Sequence, residues 1–525
     1  WRSKAIHSTL WLLGVMGVLA LVAFKYPGTR VAHLSAAELH HGLLAVLTAL
    51  TLPAGVVLTY RGLWRAGTHL PQPGQGGSSA TAPAPTPLAP SPEEAARAAE
   101  AKRRNHAELA ERRRQIDAFR KPPAINFADV DGYQRFLAES ERIFRVGFEK
   151  LGDIPFGHLS DMVKIVPAMI KLRSHLTVYQ LVKKFIKNPD LRTVLSFHPL
   201  LVGGNPYKTT SIYALILFLE RKWGVWFARG GTGAIVRALV SLFQRHGGVL
   251  RLGEKVEQIL VTPGPRKPRT AGVLLHGGVT LPASLVVSNA DVGFTYRYLI
   301  PEYARTKYSN HRIENLRYSM GLFVAYFGTR RSYPDCAHHT ILLGPRYKEL
   351  LDDIFTRKRL AADFSLYLHR PTATDPSLGP GEGDTFYVLS PVPHLGSAQP
   401  VDWTQEGTRY RDRIYKMLDE TVLPGMLQSL STTRHITPLT FRDELSSLYG
   451  SGFSVEPILG QSAYLRPHNK SEDIEGLYFV GGGTHPGAGM PGVLSTAKVV
   501  DRLIPRLPGA PLGSPIAATH AHEYP

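Results

Sequence analysis

The stretch richest in chemical implication is GLYFVGGGTHPGAGMPGV, residues 476–493. It holds seven glycines, six of them between an apolar strand-like run, Leu477 to Val480, and a helical pattern, VLSTAKVVDRLI. Glycine lets backbone N–H groups approach a ligand without a Cβ in the way. The helix that follows points its orphan N–H groups and partial positive charge back at the same place. Phosphate, or the electron-rich edge of a flavin, suits such a site. Gly487 to Gly492 matches G-x-G-x-x-G literally, but that fingerprint belongs directly after a strand at the start of a βαβ unit. Here residues 481–486 intervene and no second strand pattern follows. Pro491 suits a first helical turn, so the helix is expected to start there.

A second glycine cluster lies in RGGTGAIVRAL, with Gly230, Gly231 and Gly233 before a helical run, Ala234 to Arg245. Gly247 and Gly248 make a turn, and two strand-like runs follow, Val249 to Leu252 and Val256 to Val261. A hairpin pattern then leads to an apolar strand, Ser284 to Ser288, with Asn289 and Asp291 just beyond it. Most Gly-Gly pairs are plain turns, so this cluster alone says only that a helix packs on a small sheet.

Side chains able to move a proton are sparse. His198, in FHPLLVGGNP, lies in a polar and glycine-rich block within an apolar region; a packed histidine is the equal alternative. Arg346 in LGPRY and His369-Arg370 in YLHRPT are weaker candidates. His338-His339 has the look of a metal pair, but no third ligand stands at useful spacing, so no metal site is expected. Asp375 in TATDPS reads as a turn cap.

These residues need a scaffold, and 525 residues suffice for two or three domains. With 43% hydrophobic and 20% charged residues, most of the chain is globular. The net charge of +19 implies an anionic partner or surface. Cys336 is the single cysteine, which excludes an internal disulfide framework. Two uncharged apolar segments, Thr9 to Phe24 and Gly42 to Tyr60, predict a transmembrane hairpin over 1–65 with both ends cytoplasmic; a secretion-signal-like segment plus a core helix is the alternative. A Pro/Ala/Gly-rich linker fills 66–92 and a basic helix 93–122. No aromatic interleaving or nucleic-acid module is evident, so no nucleic acid is expected as partner. Residues 123–229 read as a helical substrate or membrane-association region. Within it DMVKIVPAMIKL alternates apolar residues with lysines at helical spacing, interrupted by Pro167; it faces either a core or a membrane interface.

Taken together, several long blocks resemble the bacterial-type phytoene desaturases, flavoproteins of the amine-oxidase-like fold. They include FHPLLVGGNPYKTTSIYALILFLERKWGVWFARGGTGAIVRAL, HHTILLGPRYKELLDDIF, FSLYLHRPTATDPSLGP and FSVEPILGQSAYLRPHNKSEDIEGLYFVGGGTHPGAGMPGVLSTAK. The resemblance covers roughly residues 117–505. It implies an α/β fold: a Rossmann-like FAD-binding domain built from 230–296 and 440–505, an α+β substrate domain at 297–439, and a flexible tail at 506–525.

The resemblance also implies roles. Gly482, Gly483 and Thr484 would approach the FAD pyrophosphate and ribityl chain. Met490, Pro491, Gly492 and Val493 would sit at the pyrimidine end of the isoalloxazine, with Val256 against the adenine. Gly230, Gly231, Gly233, Asn289 and Asp291 belong to the cofactor-binding segments. His198 and Arg346 are the catalytic candidates. The reaction would remove two hydrogens beside a polyene, with carotenoid as substrate, a membrane lipid surface and partner enzymes of carotenoid synthesis as neighbours, and the bulk of the chain cytoplasmic. Ile212 to Leu219 and Phe323 to Tyr326 are candidate tunnel walls. The sequence departs from the family pattern upstream of Asp117, where the strand, G-x-G-x-x-G and helix that hold the ADP half are not found. Alternatives are another carotenoid desaturase or isomerase, an inactive membrane-tethered scaffold, or a basic lipid- or nucleic-acid-binding protein.

Overall fold

The computed structural model describes residues 129–379 and 381–505, together with Glu100. The hairpin expected at 1–65, the linker at 66–92, nearly all of the basic helix at 93–122, the tail at 506–525 and the region searched for a G-x-G-x-x-G unit lie outside the described residues. Among the described residues no helix is long and apolar enough to cross a membrane.

A helical layer comes first. α1, Val130–Phe144, is amphipathic and buries Phe136, Ile143 and Phe144. It packs on α5, Leu215–Trp223, through Phe144 and Phe218, whose rings lie 5.4 Å apart. Between them run α2, Leu159–Lys171, α3, Val178–Lys183, and α4, Pro189–Ser196. Thr177 and Gln180 form a reciprocal capping box on α3, and Asn188 caps α4. Contrary to expectation, Pro167 does not interrupt α2. The carbonyl that Pro167 leaves unbonded is that of Val163, an exposed residue, so water can satisfy it.

The next part carries α6, Thr232–Arg245, and an antiparallel three-stranded sheet, β1 (Val256–Thr262), β2 (Arg269–Leu275) and β3 (Thr280–Pro282). Gly277 and Gly278, both at positive φ, make the tight β2–β3 turn. The expected strand at Val249 to Leu252 does not form: Val249 and Leu252 are exposed, and among the described residues no strand pairs with the run. β4, Val286–Ser288, pairs in parallel with β10, Leu477–Phe479, so that Val286 faces Leu477 and Ser288 faces Phe479. One core joins both sheets through Val256, Val273, Val286, Leu477 and Phe479. β10 leads through the glycine run into α9, Met490–Leu503, which starts one residue before the expected Pro491.

The second sheet has five antiparallel strands in the order β6-β7-β8-β5-β9: His339–Leu342, Leu366–His369, Thr385–Val392, Gly321–Thr329 and Leu430–Ile436. Side chains alternate across a strand. Phe323, Ala325 and Phe327 therefore pack under α8, Trp403–Thr421, while Leu322 and Val324 pack against α7, Tyr347–Phe355. Only alternate residues of the expected tunnel wall, Phe323 to Tyr326, share a face.

Candidate active site

The two parallel strands β4 and β10 end side by side, and a small cleft of about 50 Å³ lies just beyond their C-terminal ends. That is where open α/β sheets bind ligands. Asn289 and Asp291 line it from the end of β4, Gly481, Gly482 and Gly483 from the end of β10, and Ser454 from the facing segment. Gly481 sits at φ +102°, and its N–H donates to Thr496 Oγ1 of α9 at 3.0 Å, so the turn is fixed to the helix it precedes. A Cβ on Gly483 would stand 2.7 Å from both Ser454 Oγ and Val292 Cγ1, which only glycine avoids. Asp291 caps the short turn beyond β4, its Oδ1 accepting from the Phe294 N–H at 3.0 Å. Burial pushes its carboxyl pKa up, against the pull of the Ser454 hydroxyl and the Phe294 N–H.

The geometry of the glycine run depends on a residue the sequence did not single out. Arg466 is buried, and its guanidinium donates to the carbonyls of Gly482 at 2.6 Å, Val455 at 2.9 Å, Gln461 at 3.1 Å and Thr484 at 3.1 Å. One cation thus ties the two walls of the cleft together through backbone acceptors. Burial lowers its pKa from the usual arginine value, with Tyr213 and Asp291 opposing. Within the loop, Thr484 turns its side chain inward, where Asn469 Nδ2 donates to its Oγ1 at 3.0 Å. The ring nitrogen Nε2 of His485 donates to the Leu151 carbonyl at 2.9 Å, and the His485 ring meets Phe156 edge-on at 4.7 Å. Met490, Pro491, Gly492 and Val493 form the first turn of α9, with Val493 buried.

Other expected residues stand elsewhere. Val256 is in the core beneath the strands and does not line the cleft. Gly230, Gly231 and Gly233 do not line it either. The first two enter α6 at φ +75° and +73°, the Gly230 N–H donates to Asp375 Oδ2 at 2.7 Å, and Gly233 is buried in the first turn. Asp375 is the turn cap expected of it, accepting from Ser377 N at 3.2 Å. His198 is buried in a 3-10 turn, His198–Val202, with its Nε2 3.2 Å from Glu220 Oε2. Val202 of that turn faces Gly489, the residue before α9, at 3.1 Å from where a Cβ would be. Arg346 is occupied by a carboxylate cluster: it meets Asp363 at 3.0 Å and Asp353 at 3.4 Å, and Arg357 and Arg359 converge on the same Asp353. The spacing argument against a third histidine fails in three dimensions, because β7 brings His369 opposite His339.

The profile of the flavin-containing amine oxidoreductases matches residues 85–500. The chain is 49% identical over 380 residues to a lycopene-forming phytoene desaturase of Pseudescherichia vulneris, covering 72% of this chain and 76% of that one. The chain belongs to the phytoene desaturase family. A second relative, the neurosporene-forming phytoene desaturase of Rhodobacter capsulatus, is 44% identical over 387 residues, 73% of each chain. The zeta-carotene-forming phytoene desaturase of Myxococcus xanthus is 34% identical over 371 residues, 70% of each chain. As a phytoene desaturase family member, the chain is an FAD-dependent oxidoreductase of carotenoid biosynthesis. At the cleft, Gly483 has no room for a Cβ beside Ser454 and Val292, so bare backbone is exposed there, the kind of approach the phosphates of a flavin cofactor require.

Proposed function

We propose that this chain desaturates phytoene at a membrane surface, with FAD held along the β4–β10 cleft. The observation that carries the reading is the convergence of Asn289, Asp291, Gly482 and Gly483 on one cleft, next to the N-terminus of α9. Bound FAD supplies the acceptor for the hydride that leaves the hydrocarbon. The first-turn N–H groups of Met490 and Gly492, with the helix start that Pro491 sets and Val493 anchors, would supply positive potential toward a bound flavin. Thr484 and Arg466 keep the loop in the shape that admits the cofactor. His198 is the candidate acceptor for the proton lost with the hydride. It is paired with Glu220, on a turn that packs against the start of α9. Arg346 serves the fold through its aspartates.

Phytoene offers nothing to hydrogen-bond, so it is delivered from lipid and held by apolar walls. α2 supports the lipid side of this reading. None of its side chains is fully buried, and Leu159, Val163, Val166 and Ile170 form one solvent-exposed stripe, Val163 and Ile170 being 62% and 66% exposed. Leu465, in a turn that packs on α2, extends the stripe, and Lys164 and Lys171 flank it. An apolar stripe flanked by lysines suits the interface of an anionic bilayer. The loop before α2 carries Leu151 and Phe156, which touch His485, so the surface helix is wired to the glycine loop.

The test is the visible spectrum of the detergent-purified chain after incubation with FAD and removal of free cofactor, followed by phytoene turnover in liposomes. Retained flavin bands and conjugated products are expected. A folded sample that retains no flavin overturns the reading. Chromatography of the products then distinguishes lycopene from neurosporene or zeta-carotene.

A further inference from the structure

Far from the flavin cleft in function, one end of the five-stranded sheet gathers three histidines. His339 and His369 face each other across the β6–β7 ladder, and the Arg370 N–H donates to the His338 carbonyl at 2.9 Å, which extends the ladder and fixes His338 beside them. One ring nitrogen from each of His338, His339 and His369 lies within 4.8 Å of the other two. The Nε2 atoms of His338 and His369 are 2.8 Å apart. The other ring nitrogens are engaged by hydroxyls: His338 Nδ1 with Thr374 Oγ1 at 2.5 Å, and His339 Nδ1 with Tyr367 OH at 2.6 Å. Phe227 closes over His338 edge-on, at 4.7 Å between rings.

We propose that His338, His339 and His369 form a binding site for a divalent transition cation of the zinc class, ligated through Nε2. Metal-bound imidazoles are held by a hydrogen bond from the far nitrogen, which fixes ring orientation, and two of the three rings have that bond already. Three imidazoles are a recurrent zinc donor set that leaves one position for water, and imidazole also suits copper and nickel. The ligands must be neutral to bind. His339 is exposed, which gives the ion a way in and lets its ring swing the remaining distance. The ion would clip β6 to β7 and, through Thr374, to the 371–375 turn that Asp375 ties to the entry of α6.

The experiment uses the untagged full chain, stripped with chelator and titrated with cobalt(II), following the visible d–d bands. One equivalent is expected to bind with tetrahedral-type absorbance. His338→Ala and His339→Ala should each weaken binding by roughly 100-fold, and Thr374→Val by roughly 10-fold. His276→Ala, in an exposed histidine paired with Glu257, should leave binding unchanged. Flavin retention in every variant checks that the fold persists. No stoichiometric binding to the folded wild-type chain overturns the proposal, and so does binding that survives both His338→Ala and His339→Ala.

Discussion

His485 of the glycine loop donates from Nε2 to the carbonyl of Leu151 at 2.9 Å, joining that loop to the one that launches the exposed helix α2. Burial depresses the pKa of His485 to about 4, against the Leu151 hydrogen bond, so the ring is neutral in the folded chain. Its unfolded value is near 6.5. Between those values the unfolded chain binds the extra proton. Stability is therefore complete above pH 6.5 and is lost as pH falls toward 4. His394, also buried with a pKa of about 4, acts in the same direction. Each contributes a slope of ~1.4 kcal/mol per pH unit. Denaturant unfolding at stepped pH measures it, and His485→Gln should reduce the slope by one proton's share.

Arg466→Met removes the donor to four carbonyls and leaves them in a site with little water. The expected loss is of order 3 kcal/mol or more in stability, with flavin retention falling alongside. Arg466→Lys cannot reach four acceptors from one ammonium and should rescue only part. Thermal unfolding and the flavin-to-protein absorbance ratio check both.

Gly483→Ala places a methyl group 2.7 Å from Ser454 Oγ and Val292 Cγ1. The loop must move, and FAD affinity should drop by about tenfold or more, the equivalent of one misplaced contact of ~1.4 kcal/mol. Equilibrium dialysis with FAD reads it, while Gly460→Ala, with open space at its Cβ, should be silent.

Replacing Val163 and Ile170 together by Asp puts two charges on the exposed stripe of α2 without touching a buried residue. Flotation with anionic liposomes should fall by about tenfold, with unchanged flavin retention in detergent. Turnover of phytoene in liposomes should drop in step with flotation.

His198→Gln keeps a polar side chain beside Glu220 and removes the proton acceptor. A fall in single-turnover rate of ~100-fold or more with flavin retained is expected for a general base. An unchanged rate would assign His198 to packing alone.

Much of the cleft between β4 and β10 was legible because its signals are local. The apolar runs that became β4 and β10, the glycines between β10 and α9, and Asn289 and Asp291 all sit within a few residues of the features that reveal them. Arg466 was not legible: in LRPHNK it looks like a surface charge, and its acceptors are carbonyls spread over residues 455–484. His369 was named only as a weak proton-transfer candidate, and its place beside His338 and His339 escaped for a related reason. Its meeting with His338, 31 residues away, is set by strand register and not by any spacing motif. Val249 to Leu252 shows the opposite failure, a strand-like composition without a partner to pair with.

The bond from His485 to Leu151 spans 334 residues of sequence, and Val286 of β4 waits 191 residues for Leu477 of β10. A nascent chain reaches the ribosome exit with the surface helix long before the glycine loop exists. Contacts this distant in sequence form late and slowly. The surface helix α2 can thus stand folded while the cleft is still unmade, and the cleft takes shape only when β10 and α9 arrive to pair with β4.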